Sequence, residues 1–169
     1  TMYLLPEYNM VLRPRFLALK PGTRIVSHDY AMGDWKPDAE KTVPVPDKPV
    51  GARKESAIYF WVVPARVEGR WRSRLPQGGR SVEFELRQKF QELSGTAKIA
   101  GRSIALERAT LSGPFLSFRV QDGKRTLRFS GYASAGRING QLGIGDRAYR
   151  WRASLRLKGC CPFHTSLTA

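Results

Sequence analysis

The sequence predicts two architectures in succession: α/β over residues 1–66, then all-β over residues 67–157, as a small antiparallel up-and-down β-barrel of about eight strands. Three observations predict the division. Apolar runs flanking a helical stretch occupy the first part; strict alternation of apolar and polar residues begins at Val67; and the charge changes sharply at the same point. Residues 1–65 hold nine Lys and Arg against seven acids, whereas residues 66–169 hold twenty against seven.

"MYLLP" at residues 2–6 reads as a short strand that is apolar on both faces, as parallel strands are. Asn9 is read as the cap of a helix whose apolar residues Val11, Leu12, Phe16, Leu17 and Leu19 share a face, and Pro21 with Gly22 ends it. "TRIVSH" follows as a second buried strand, which completes a strand-helix-strand unit and predicts a parallel sheet. Residues 36–57 carry four of the eleven prolines and nine charged residues with no period, the composition of a long loop. "IYFWVVPA" is a third strand.

From Val67 the side chains alternate. Val67, Gly69, Trp71, Ser73 and Leu75 share one face against Arg70, Arg72 and Arg74, and Val82, Phe84 and Leu86 repeat the scheme against Glu83, Glu85 and Arg87. Short segments with glycine-bearing turns continue to Arg156, and closing them into a barrel removes two exposed sheet edges. If the first and last strands pair, Arg70, Arg72 and Arg74 come beside Arg150, Arg152 and Arg156. Glu83 and Glu85 can offset the first set. Arg150, Arg152 and Arg156 are therefore candidate anion-binding residues, with nucleic acid, acidic lipid or an acidic protein as the partner class.

The net charge is +15, and no apolar run approaches the roughly 20 residues of a membrane-spanning helix. "TMYLLP" opens directly into a strand-like segment without a leader, so an earlier N-terminal part is expected and targeting cannot be read. Adjacent Cys160 and Cys161 cannot staple distant parts of the fold, and with His164 they are too few to hold a metal. Residues 158–169 read as a disordered tail. "GQLGIG" at residues 140–145 lies within alternating strands and precedes no helix, so it is a turn rather than a phosphate loop.

The remaining chemistry sits at two strand ends. Glu7, Tyr8 and Asn9 follow the first strand, and His28, Asp29, Tyr30, Asp34 and Trp35 follow the second; in a parallel sheet both groups open on one crevice. His28 is a candidate general base, with Glu7, Asn9, Asp29 and Tyr30 as further catalytic candidates and Asp34 and Trp35 as substrate contacts.

"YLLPEYNMVLRPRFLALKPGTRIVSHDYAMGDWKPD", with "YFWVVPARVEGRW" after it, resembles the C-terminal part of a bacterial class I methyltransferase family that uses S-adenosylmethionine. The resemblance covers residues 2–71. It implies a partial Rossmann-like methyltransferase sheet whose fourth strand is "YLLPE" and whose fifth is "GTRIVSHD". It also implies methyl transfer in the bacterial cytoplasm, with Tyr3, Leu4, Leu5 and Pro6 beside the cofactor. The family is distantly similar to eukaryotic protein-lysine methyltransferases, which makes lysine a candidate acceptor. The first three strands of such a sheet, its main cofactor loop and its ribose-holding acid are absent, so this stretch alone is expected to be inactive. The stretch from "GRW" to "WRASLR" resembles small lipocalin-like β domains. The competing readings are a non-enzymatic barrel that grips an anionic or apolar ligand, and an unproductive truncation.

Overall fold

A computed structural model describes residues 1–49, 54–76 and 78–156. Cys160, Cys161 and His164 lie outside the described residues. One helix, α1 (Pro6–Leu17), precedes twelve strands: β1 (Arg24–His28), β2 (Ala39–Pro44), β3 (Glu55–Val62), β4 (Gly69–Arg74), β5 (Ser81–Lys89), β6 (Glu92–Ile99), β7 (Arg102–Ala105), β8 (Glu107–Ser112), β9 (Phe115–Asp122), β10 (Arg125–Ser134), β11 (Arg137–Ile144) and β12 (Arg147–Leu155). The strands form a three-stranded sheet, β1-β3-β2, and a nine-stranded sheet, β7-β6-β5-β4-β12-β11-β10-β9-β8.

The Rossmann-like α/β sheet is not seen, and that expectation is corrected. β1 pairs antiparallel with β3, as β2 does from the other side. The expected strand at residues 2–6 reduces to a single parallel bridge between Met2 and Ser27, because Pro6 already opens the helix. Pro6 suits that first position, where its missing N–H costs nothing. Asn9, expected as the cap, therefore lies inside α1 and is buried. Residues 36–57 are not one loop, since β2 lies within them. Apolar residues on both faces of β1 and β3 suggested strands of a parallel sheet, buried on both sides. The structure covers one face, burying Ile25, Ser27 and Trp61, and leaves Val26, His28, Ile58 and Phe60 only half-buried.

The second sheet is a β-barrel, nearly closed. β7 and β8, its two edges, are successive halves of one segment, broken at Leu106, whose N–H donates to the Gly95 carbonyl at 3.0 Å. Across that seam the Arg102 guanidinium reaches Asp122 at 2.7 Å. The first and last barrel strands, β4 and β12, pair only through Ala153↔Ser73, Ser154↔Arg72 and Leu155↔Trp71.

Alternation drives the closure, because each strand turns one apolar file inward. Phe84, Phe118, Phe129 and Trp151 meet at the centre with ring centroids 5.1–6.0 Å apart, mostly edge to face. Val82, Leu86, Ile99, Leu116, Val120, Ile138 and Leu142 fill the rest. The barrel is packed through, as small barrels are.

A smaller core of Ile25, Met32, Trp35, Trp61 and Val63 holds the three-stranded sheet to α1. Phe90, from the β5–β6 turn of the barrel, joins it and stacks on Trp35 at 5.9 Å.

Candidate functional site

The bridge between Met2 and Ser27 sets the geometry of the first strand end. The Met2 N–H donates to the Val26 carbonyl at 2.9 Å, and the His28 N–H donates to the Met2 carbonyl at 3.1 Å. The two chains therefore run side by side in one direction, and their next residues meet: the Tyr3 ring stands edge-on to the His28 imidazole, centroids 4.6 Å apart. The predicted cofactor-side residue Tyr3 and the predicted base His28 are thus brought together. His28 is about one-third exposed, and its Nδ1 makes no hydrogen bond although Asp29 Oδ2 lies 3.4 Å away.

Tyr3, Leu4 and Leu5 are exposed, followed by exposed Tyr8, Met10 and Val11. An apolar run left open to water is the kind of surface that marks a binding site. Glu7 is exposed in the first turn of α1.

Asp29 serves the fold. Its φ of 64° places it in the left-handed region, which an Asp tolerates better than most residues. Its N–H donates to the Ala57 carbonyl at 2.7 Å, the Ala57 N–H returns to Asp29 Oδ1 at 3.0 Å, and Lys48 Nζ donates to Oδ2 at 2.6 Å. Burial works to raise the Asp29 pKa, but the Lys48 hydrogen bond, the Ala57 N–H and the neighbouring His28 and Lys48 charges together outweigh it. The carboxyl sits below its ordinary 3.8. Asn9 is likewise structural: its Nδ2 reaches Ser27 Oγ at 3.4 Å, the Tyr30 carbonyl at 3.2 Å and the Ala31 carbonyl at 3.4 Å, tying α1 to the end of β1. Tyr30 enters through that backbone carbonyl, which also accepts from Ser27 Oγ.

Asp34 and Trp35, read as substrate contacts, instead join the two parts of the chain. Trp35 is fully buried; its Nε1 donates to Gln91 Oε1 at 2.9 Å, and its carbonyl accepts from Trp61 Nε1 at 2.9 Å. Gln91 in turn donates to the Lys36 carbonyl at 2.6 Å. Asp34 is gripped by Arg13 at 2.6 Å and Lys89 at 3.1 Å, and the Lys89 and Arg13 hydrogen bonds lower its pKa. Gly33 makes the turn possible. Its φ is 62°, and a Cβ there would fall 2.8 Å from the Met10 sulfur. Partners 56 residues away in sequence left no local signal of this role.

On the barrel, Arg156 shares Glu83 with Arg72, at 3.7 and 3.2 Å, so the last strand does find a carboxylate. Arg150 and Arg152 meet no carboxylate among the described residues. They line a shallow cleft of about 410 Å³ with Arg72, Ser73 and Arg74, where the Ser73 hydroxyl donates to the Arg152 carbonyl at 2.7 Å.

No family profile matches the chain and no solved structure matches it. A protein-lysine N-methyltransferase from Saccharolobus islandicus (strain REY15A) is 34% identical over 64 residues, 37% of this chain. The match spans 36% of that archaeal protein. The chain is therefore similar to about a third of a methyltransferase. Among the described residues no helix is long and apolar enough to cross a membrane, and no cluster of His, Cys, Asp and Glu is suited to a metal.

Proposed function

We propose that residues 1–66 form part of the site of an S-adenosylmethionine-dependent methyltransferase acting on a protein lysine, with the barrel as an accessory domain. The observation that carries this reading is the parallel pairing of Met2 with Ser27, which sets Tyr3 and His28 in contact at one edge. The similarity to a lysine methyltransferase supports the chemistry and the acceptor.

Bound S-adenosylmethionine supplies a methyl group on a sulfonium. Exposed Tyr3, Leu4 and Leu5 suit the apolar part of such a molecule, and Pro6 fixes where that stretch turns into α1. A lysine ammonium has no lone pair, so it must lose a proton first. His28, about one-third exposed and with its buried Nδ1 turned toward Asp29 Oδ2 at 3.4 Å, takes that proton on its other ring nitrogen. S-adenosylmethionine held there would give its methyl group to that amine, with Tyr3, Leu4 and Leu5 placing the cofactor and His28 keeping the amine deprotonated. Rate comes chiefly from holding amine and methyl in line.

Methyl transfer from tritiated S-adenosylmethionine to lysine-containing proteins, by the full protein its gene encodes, tests the reading. The expected result is label on lysine, with His28→Ala lowering kcat about 100-fold or more and Tyr3→Ala weakening cofactor binding. Absence of transfer, or a His28→Ala protein with unchanged kcat, overturns it.

A further inference from the structure

The outward surface of β9–β12 differs from the rest of the barrel. Its exposed positions are filled by Ser, Thr, Asn, Gln, Arg and two aromatic residues, and none is acidic. Asp122, the one acid in these strands, points with the inward file, is 8% exposed, and is tied to Arg102 and Arg80. The surface therefore carries net positive charge, its neighbouring acids being Glu107, opposite Arg119, and Asp146 in the β11–β12 turn.

Strand register arranges that surface in two rows. Phe115, Tyr132, Asn139 and Arg152 are successive cross-strand partners, and beside them run Ser117, Ser130, Gln141 and Arg150. Phe115 (37% exposed) and Tyr132 (61% exposed) form an edge-to-face pair at 5.2 Å on the outside of a barrel whose core is already full. Two strand spacings, roughly 10 Å, separate Tyr132 from Arg152, with the Asn139 amide between them.

Beneath these rows the inward-file partners Gly131 and Gly140 bring β10 and β11 close together, and a Cβ at Gly140 would clash with the Ser130 carbonyl. A groove of about 610 Å³ runs over the outer rows from Phe115 and Tyr132 to Arg150 and Arg152, which also line the arginine cleft.

We propose that this groove binds single-stranded nucleic acid, with bases stacked on Phe115 and Tyr132 and phosphates held by Arg150 and Arg152. Base-stacking rings beside cations are what a single strand requires, and side-chain amides between them meet base edges. An acidic membrane would use the arginines and the rings, but not the Asn139 and Gln141 amides between them, which suit base edges. The inference is independent of the methyltransferase reading.

The test is fluorescence anisotropy of the chain with labelled oligo-dT and oligo-U of about 12 nucleotides, between about 50 and 200 mM salt. Binding that weakens with salt is expected. Exchanging Arg150 and Arg152 for Glu should weaken it at least 10-fold and flatten the salt slope by about 0.7 per lost phosphate contact. Tyr132→Ala should cost about 5- to 100-fold and leave the slope unchanged, and Tyr132→Trp should restore affinity. Arg87→Glu with Lys98→Glu, an equal charge change on β5 and β6, should cost less than the Arg150 and Arg152 pair. Circular dichroism confirms that each variant is folded. No binding at low salt overturns the proposal. So does Tyr132→Ala binding as wild type does, or a preference for heparin or phosphatidylserine vesicles that ignores the rings.

Discussion

At the scale of single residues, the strand-end cluster separates into groups that hold the fold and groups left free for chemistry. Asp29 spends its hydrogen-bonding capacity on Lys48 and Ala57, whereas the His28 ring stays about one-third exposed, its buried Nδ1 facing Asp29. The Asp29 pKa is lowered by folding, so its contribution to stability is complete above the ordinary value of 3.8 and is lost as pH falls through the depressed folded value. Lys48→Met removes the main group that lowers it. That variant should lose about 1–3 kcal/mol at neutral pH and begin acid unfolding at a higher pH than wild type, as read by urea titrations across pH. A coincident acid limb would show that Lys48 does not hold the carboxylate. The sequence brought His28 and Asp29 to attention because polar groups directly after an apolar strand are visible in the letters, whereas Tyr3 came only from the family resemblance. Which of them the backbone would engage depended on Ala57 and Lys48, which local pattern does not reveal.

At the scale of elements, the barrel strands were legible and the first sheet was not, for one reason. Alternation with period two reports a face that is buried while the other is wet, and that holds whatever the strand direction. Runs such as "IYFWVV", apolar on both faces, report only burial, and β3 buries them between two antiparallel neighbours with one sheet face half-open. The β5–β6 turn was equally silent, although it carries Phe90, which anchors the barrel on Trp35. Phe90 has a φ of 54°, a costly conformation for a bulky residue that persists because the ring is stacked on Trp35 and lies beneath the Arg13 guanidinium at 5.5 Å. Phe90→Ala should cost about 2–4 kcal/mol in urea unfolding, and Phe90→Gly less, because glycine relieves the backbone strain. Equal stability of Phe90→Ala and wild type would mean that the stack does not join the parts.

At the scale of the whole molecule, a small apolar-edged sheet and a basic, solid barrel are joined through the "GDWK" turn and the Lys89–Glu92 hairpin. The charge asymmetry seen in composition becomes geometry: most carboxylates of the barrel lie toward β5, β6 and the seam, and the outward faces of β9–β12 are rich in arginine, with Asp146 in the turn beside them. The filled core directs any barrel ligand to that outer surface. Meanwhile Tyr3, Leu4 and Leu5 leave the sheet's edge apolar and open beside His28. One part thus presents an open apolar edge beside an imidazole, the other a basic outer face.

The most direct test of the methyl-transfer account is a backbone-amide NMR titration of the full encoded protein with S-adenosylhomocysteine. The account predicts saturable shifts at Tyr3, Leu4, Leu5 and His28, with the barrel core unmoved. Saturation that leaves these four resonances in place, or no binding, would contradict it.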